Sequence, residues 1–399
     1  MTTEHLPRRP HLLIALSSHG FGHLSQAAPV INQLRLLMPE LRITVRSAFP
    51  AEQIKRRIFD PDTIESFADD FGMVMHHALS VDIEASLSAY LTMHKDWQKK
   101  VVDLATHLKE IEVDLVVSDI PYLTLAAAKH AGIPCVALCS LNWADILEHY
   151  LKKYPPIGTD SECRLLDREQ TSLIDTIRTA YQSARYFLQP APSMVMQGLT
   201  NTLAIGPVCT PGEKKRLELR KNIGVPANAV VTLVGMGGMA YPVKLDNWPS
   251  EINGQALHYL VPEEMVTPAV AVTSGESRDT DAQTINTISI EQTGLTYSEL
   301  VASVDLIITK PGYGMFVEAA AAGVPVLYVE RPGWPEAEAL TGWLQSIAHC
   351  AEITSETLQQ GLFTQQLTEL LSKGHYPAVP PSGNLQAAEL LKRILLHTE

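Results

Sequence analysis

The chain has 399 residues, enough for two or three domains at ~150 residues each, and an ordinary globular balance of 46% apolar and 19% charged residues. A formal net charge of −13 gives it no electrostatic footprint for duplex nucleic acid. Five scattered cysteines (135, 139, 163, 209 and 350) with no C-x-x-C pair indicate neither a disulfide frame nor a zinc site, and they fit a reducing cytoplasm.

Residues 1–10 are polar and lead into an apolar run of strand length, which is not the pattern of a secretory leader. No apolar run approaches the ~20 residues of a membrane span, so a cytoplasmic chain is expected, with contact to a membrane surface left open. Residues 11–16 read as a first buried strand that runs into Ser17-Ser18-His19-Gly20-Phe21-Gly22-His23-Leu24-Ser25. Val30, Ile31, Leu34 and Leu37 then recur at helical spacing over 25–37, and 41–47 is a second strand. The glycine loop lacks the third glycine of the dinucleotide fingerprint, but it places two histidines where strand meets helix. A lone histidine is more often structural; an imidazole of intrinsic pKa ~6.5 is also suited to taking a proton from a hydroxyl near neutral pH.

Residues 60–90 carry Asp69-Asp70 and His76-His77, which lack further recognisable metal ligands and are assigned to a solvated loop. A helical stretch runs from Ile83 through Trp97 to Leu108. Residues 113–119 form a strand ending in Asp119, followed by a helix over 123–131, a Gly132-Ile133-Pro134 stop and a strand over 135–138. Asp119 reads either as the N-cap of that helix or as the carboxylate on the far ring nitrogen of a catalytic imidazole. Asn142-Trp143 either lines the same edge or packs. Residues 150–185 are mostly helical with an interruption at Pro155-Pro156, 186–188 is strand-like, and 203–208 leads into the second half.

A charged helix is expected at 214–222 and a strand at 230–234, ending in Gly235-Met236-Gly237-Gly238, where glycines let the backbone approach a ligand closely. Further strands are expected at 256–259, 269–272 and 287–290, a polar surface loop at 274–283 and a short helix at 297–303. Then the plan of the first half repeats. Leu306-Ile307-Ile308 is a buried parallel strand, Lys310-Pro311-Gly312-Tyr313-Gly314 a loop, 315–322 a helix stopped by Gly323-Val324-Pro325, and 326–329 a strand. A helix that starts at the carboxyl edge of a parallel sheet turns N–H groups and its positive dipole end toward a phosphate. Glu318 lies within reach of a ribose hydroxyl beside that phosphate. From spacing alone, a glycine turn that merely packs helix on strand is equally compatible. Residues 377–381 form a turn-rich linker, and 384–397 a last helix with Leu385, Ala388, Leu391 and Leu395 on one side.

Thr309-Lys310-Pro311-Gly312, Glu318-Ala319 and Gly323-Val324-Pro325 resemble the donor-binding signature of the GT-B glycosyltransferases, most closely family 28 with its lipid- and lipid II-glycosylating members. Residues 310–314 with Glu318 also resemble the glycosyltransferase-like half of plant L-arabinokinases. The resemblance implies an α/β chain of two Rossmann-like parallel-sheet domains facing each other across a cleft. These would be an N-terminal acceptor-binding domain (1–200), a C-terminal nucleotide-sugar donor domain (201–376), and a linker and helix (377–399) returning to the first. It implies an inverting, metal-independent transferase moving a sugar from a nucleotide diphosphate sugar, UDP-linked, to a hydroxyl of a small-molecule or lipid acceptor, with no resident cofactor. Gly22-His23 resembles the G-H motif of inverting members, which makes His23 the candidate base, His19 its alternative, and Asp119 the orienting partner. The family has a proline soon after that histidine; here it comes late, at Pro29. The implied donor-binding set is Gly22, Gly237, Gly238, Lys310, Gly312, Tyr313, Gly314, Glu318, Arg331 and Glu336, with Glu338 a further candidate and no metal ligand among them. Where family 28 carries Pro-Gly-Gln-Glu against the donor sugar, this chain has Pro332-Gly333-Trp334-Pro335-Glu336. That departure keeps two other readings open: a non-catalytic nucleotide-sugar binder, and a sugar-nucleotide epimerase on the same fold.

Overall fold

A computed structural model describes residues 8–153, 160–237, 243–266 and 285–398. Gly238, the strand expected at 269–272, the loop at 274–283 and the interruption at Pro155-Pro156 lie outside the described residues. The chain divides into two compact units: unit 1 is Met1–Cys209, Trp334–Ala339 and Pro381–Glu399, and unit 2 is Thr210–Gly333 and Leu340–Pro380.

Unit 1 runs β1 (His11–Leu16), α1 (Phe21–Leu37), β2 (Arg42–Ser47), α2 (Ala51–Lys55), β3 (Thr63–Ser66), the hairpin β4 (Met75–His77) and β5 (Ser80–Val81), α3 (Ile83–His94), α4 (Trp97–Glu110), β6 (Leu115–Asp119), α5 (Tyr122–Ala131), β7 (Cys135–Leu138), α6 (Trp143–Lys153), α7 (Asp160–Gln182), β8 (Tyr186–Pro190) and β9 (Thr202–Ile205). Seven strands make one parallel sheet in the order β3-β2-β1-β6-β7-β8-β9. Every residue of β1, β6 and β7 is buried, as strands covered on both faces must be, which is why their centres read as continuous apolar runs. From β1 the chain winds outward to β2 and β3, then returns to lay β6 on the other side of β1. Open α/β sheets bind ligands at the carboxyl ends of the strands at such a reversal. The register pairs Leu16 with Asp119, so the loop leaving β1 and the end of β6 stand level. The helical stretch expected over 83–108 is two helices, parted at Lys95 and Asp96, the latter at φ 58°.

Unit 2 runs α8 (Arg216–Asn222), β10 (Val230–Gly235), β11 (Glu251–Ile252), β12 (Gln255–Val261), β13 (Asn286–Ser289), α9 (Tyr297–Ser303), β14 (Leu306–Thr309), α10 (Tyr313–Ala322), β15 (Val326–Val329), α11 (Ala337–Ile347), β16 (Cys350–Ile353), α12 (Ser355–Gln360) and α13 (Thr364–Lys373), the first residues of α11 packing with unit 1. Its sheet order is β11-β12-β10-β14-β15-β16, with β13 also on β12, and only the β11–β12 pairing is antiparallel. The reversal here falls between β10 and β14. Opposite that edge, buried Asp305 accepts from the Val231 backbone N–H at 2.8 Å and pairs with Arg220 and Arg216, which fixes the start of both central strands.

The last helix, α14 (Gly383–Leu395), returns to unit 1 and packs on α1. It buries Ala387, Ala388, Leu391, Ile394 and Leu395, whereas Leu385, expected on this face, is 46% exposed. Gln386 Oε1 accepts from Gly206 N at 2.7 Å, and Lys392 Nζ donates to the Leu37 carbonyl at 3.3 Å. Gly383 is required by close approach: a Cβ there would sit 2.0 Å from the Gly206 carbonyl oxygen. Gly383→Ala is therefore expected to destabilise the chain by about 1–3 kcal/mol despite alanine's better helix propensity. A urea midpoint that is unchanged or raised in this variant would refute the contact.

Candidate active site

His23 enters from the first turn of α1. The helix begins at Phe21, earlier than the Ser25 start read from the pattern, because Gly20 takes an extended N-cap conformation (φ −174°, ψ 161°) and the chain passes directly from strand to helix. His23 is thus held on a rigid element rather than in a loop, and it is 5% exposed. Its Nδ1 lies 2.9 Å from Oδ1 of Asp119, which is fully buried at the end of β6. Asp119 does not cap the following helix: α5 starts behind Pro121 with no side-chain cap.

Further side chains of unit 1 close around this pair. The Cys139 Sγ lies 3.7 Å from His23 Nδ1. Asp70 Oδ2 accepts from Trp143 Nε1 at 2.8 Å, and the Trp143 ring sits 5.6 Å from that of His23. Glu336, buried, accepts from Ser140 Oγ at 2.5 Å and from Trp334 Nε1 at 3.1 Å. Trp334 stacks on His19, whose ring centre is 6.5 Å from that of His23. The solvated loop expected around Asp69-Asp70 is corrected by this packing. Both aspartates are buried, Asp69 because Arg46 grips its two oxygens at 2.6 and 3.0 Å and Thr124 donates at 3.1 Å. His76 and His77 are exposed.

Burial pushes the His23 imidazole down, but the charge and hydrogen bond of Asp119, with the charges of Asp70 and Glu336 behind them, carry it above its ordinary value. Burial lifts Asp119 against the pull of His23, and both directions describe a pair that grips its proton. Burial likewise lifts Asp70 to about 6, opposed by His23 and by the bond from Trp143. Among the described residues His23, Asp119 and Cys139 form the one His/Cys/carboxylate trio with ligand-type atoms within 4.8 Å of one another. The Nδ1–Oδ1 separation is that of a hydrogen bond, and burial pushes the Cys139 thiol far up.

The second cluster lies at the reversal of unit 2. Thr309 Oγ1 donates to the Gly235 carbonyl at 2.6 Å and ties the ends of β14 and β10 together. Gly237 sits at φ +80°, and a Cβ there would lie 3.4 Å from Lys310 Cε, so glycine leaves the lysine room across the turn. α10 starts at Tyr313, two residues before the expected start, behind an extended Gly312 and without a side-chain cap. Its first turn therefore presents backbone N–H groups at the carboxyl edge. Glu318 lies in the next turn and is 5% exposed. Unit 2 thus gathers Gly237, Lys310, Gly312, Tyr313 and Gly314 at one edge, with Glu318 on the helix and buried Arg331 just past β15. The other residues of the implied donor set stand elsewhere. Glu336 packs in unit 1 on Ser140, Gly22 is in α1 beside His23, and Glu338 is exposed. A cavity of about 780 Å³ lined by Trp97, Lys129, Arg168 and Thr176 contains none of these residues. Sequence reading missed Asp70, Gln26, Cys139 and Ser140. The last two directly follow β7 at the edge that carries His23, which is the signal that would have found them.

Two units, each built on a largely parallel sheet with candidate residues at its reversal, define the class: this is the fold of the GT-B glycosyltransferases. No family model matches the chain. In sequence it is similar to an L-arabinokinase of Arabidopsis thaliana, 24% identical over 395 residues; the alignment covers 97% of this chain but only about a third (34%) of that protein's length. In structure it is similar to a UDP-glucosyltransferase from Polygonum tinctorium, with a TM-score of 0.58, 13% identity and coverage of 98% of this chain and 99% of that one. MurG of Acinetobacter baumannii superposes with a TM-score of 0.55 at 15% identity, over 97% of this chain and all of that one (100%). Among the described residues no helix is long and apolar enough to cross a membrane.

Asp70 carries a stability consequence with a definite sign. A carboxyl raised from 3.8 to about 6 on folding stabilises the fold fully below pH 3.8 and loses that contribution as pH rises through 6. Asp70→Asn does not titrate, so its stability relative to wild type should rise by about 2–3 kcal/mol between pH 3.5 and pH 7. Urea denaturation at both pH values reads this difference; equal gaps would show that Asp70 ionises freely.

Proposed function

We propose that the chain is a glycosyltransferase that moves a sugar from a nucleotide diphosphate sugar, UDP-linked, to an acceptor hydroxyl with inversion and without a metal ion. The observation that carries this reading is the buried His23–Asp119 hydrogen bond at the reversal of unit 1's sheet. With Nδ1 taken by the carboxylate, Nε2 is the atom that accepts the acceptor's hydroxyl proton. As that proton moves to Nε2, the oxygen bonds to the anomeric carbon and the bond from that carbon to the diphosphate breaks, a single displacement that inverts the centre. Asp119 stabilises the imidazolium that forms. The leaving diphosphate's charge falls to the N-terminal amides of α10 and to Lys310, an electrostatic role that replaces a metal clamp. Glu318 accepts from the ribose hydroxyls. The likeness to a UDP-glucosyltransferase supports the choice of UDP.

A non-catalytic nucleotide-sugar binder is the second reading, favoured by one observation: the Glu336 carboxylate already bonds Ser140 and Trp334 in unit 1. The two readings part in a transfer assay with EDTA present. His23→Ala should lower turnover by ~10²–10⁴-fold while calorimetric binding of the nucleotide sugar stays within error of wild type. Binding by wild type with no sugar consumed in any acceptor screen would select the second reading, and an epimerised nucleotide sugar would replace both. Glu318→Ala should weaken UDP binding by about 1–3 kcal/mol; unchanged affinity would remove the ribose role.

A further inference from the structure

Asp119 uses only one of its oxygens on His23. Oδ2 is fully buried and meets no hydrogen-bond donor at normal geometry among the described residues. A buried, half-served carboxylate is costly, and it can turn about its own axis unless something holds the second oxygen. The donor placed to serve it is the thiol of Cys139, fully buried one residue past β7, whose sulfur belongs to the same 4.8 Å group as His23 Nδ1 and the Asp119 carboxylate. The sulfur is held in turn by Gln26. Gln26 Nε2 donates to it at 3.8 Å, and Gln26 Oε1 accepts from the Ser140 backbone N–H at 2.8 Å. Gln26 lies three residues beyond His23 on α1, so one helix face carries both the imidazole and the side chain that fixes the thiol.

We propose that Cys139 is a positioning residue for the transfer: its S–H donates to Asp119 Oδ2 while its sulfur accepts from Gln26, which holds the carboxylate so that Oδ1 faces His23. The proposal rests on the reading of His23 as the base. A thiol can supply that donor: its S–H anchors the second oxygen while Oδ1 stays with the imidazole. The other ionisable groups facing His23, Asp70 and Glu336, are held by Trp143 and Ser140 and take no part in this chain of bonds.

The test uses the full chain as wild type, Cys139→Ala and Cys139→Ser, with ¹⁵N-labelled histidine. His23→Gln assigns the signal of the Nδ1 proton shared with Asp119. In Cys139→Ala, kcat should fall about 10-fold at unchanged donor KM, and the shared-proton resonance should broaden or vanish. Cys139→Ser should restore both, even where its melting temperature lies below that of Cys139→Ala. The proposal is overturned by a wild-type kcat and a sharp resonance in Cys139→Ala. It is equally overturned if the serine variant fails as the alanine variant does. Full transfer by His23→Ala would remove the base assignment alone, because the resonance of Cys139→Ala still decides whether the thiol orders the Asp119–His23 bond.

Discussion

A carboxylate with no exposed surface is the constraint around which unit 1 is arranged. Asp119 ends the central strand β6, where the sheet offers no water, and it is tolerable there only because an imidazole meets it at hydrogen-bond distance. That meeting needs β1 and β6 in register and α1 starting immediately after the β1 loop. Each condition is met by a local choice: buried strands, an extended Gly20 just before Phe21, and a helix whose buried face runs from His23 through Gln26 to Val30. Strand register, helix start and site chemistry are one problem here.

The two units solve different electrostatic problems with one plan. Unit 1 collects negative charge: Asp70, Asp119 and Glu336 surround a single imidazole and lift its proton affinity. Unit 2 collects positive potential, from a helix start and a lysine laid across a glycine turn. In both, the strand before the loop is buried on both faces and the helix after it is uncapped by any side chain, so backbone geometry alone aims the functional groups.

How much of this could be read from the residues depends on how local each cause is. β1, β6, β10, β14 and β15 were legible because a fully buried parallel strand is an unbroken apolar run with glycine or proline beyond it. β3, the β4–β5 hairpin and β11 were not: they are short, and β3 and β11 lie at sheet edges, where burial imposes little pattern. The start of α1 was placed four residues late because glycine argues against helix, while here Gly20 is the cap and Gly22 lies inside the first turn. His23 and Asp119 were legible since both follow recognisable strands. Asp69 and Asp70 were misread because their donors, Arg46, Thr124 and Trp143, come from β2, α5 and α6, a coincidence that no window of sequence contains. Gln26 was invisible for the same reason, since its meeting with Cys139 depends on how α1 lies across the end of β7.

The return of α14 bears on how the chain reaches its fold during synthesis. Unit 1 is assembled from three stretches, 1–209, 334–339 and 381–399. A ribosome releases the first stretch, with its complete seven-stranded sheet, long before it releases the other two. Through that interval the surface of α1 that later meets Ala388 and Leu391 is uncovered, and Ser140 lacks its glutamate partner. Unit 1 is therefore begun before unit 2 and completed after it, and unit 2 closes while α14 is still to be made.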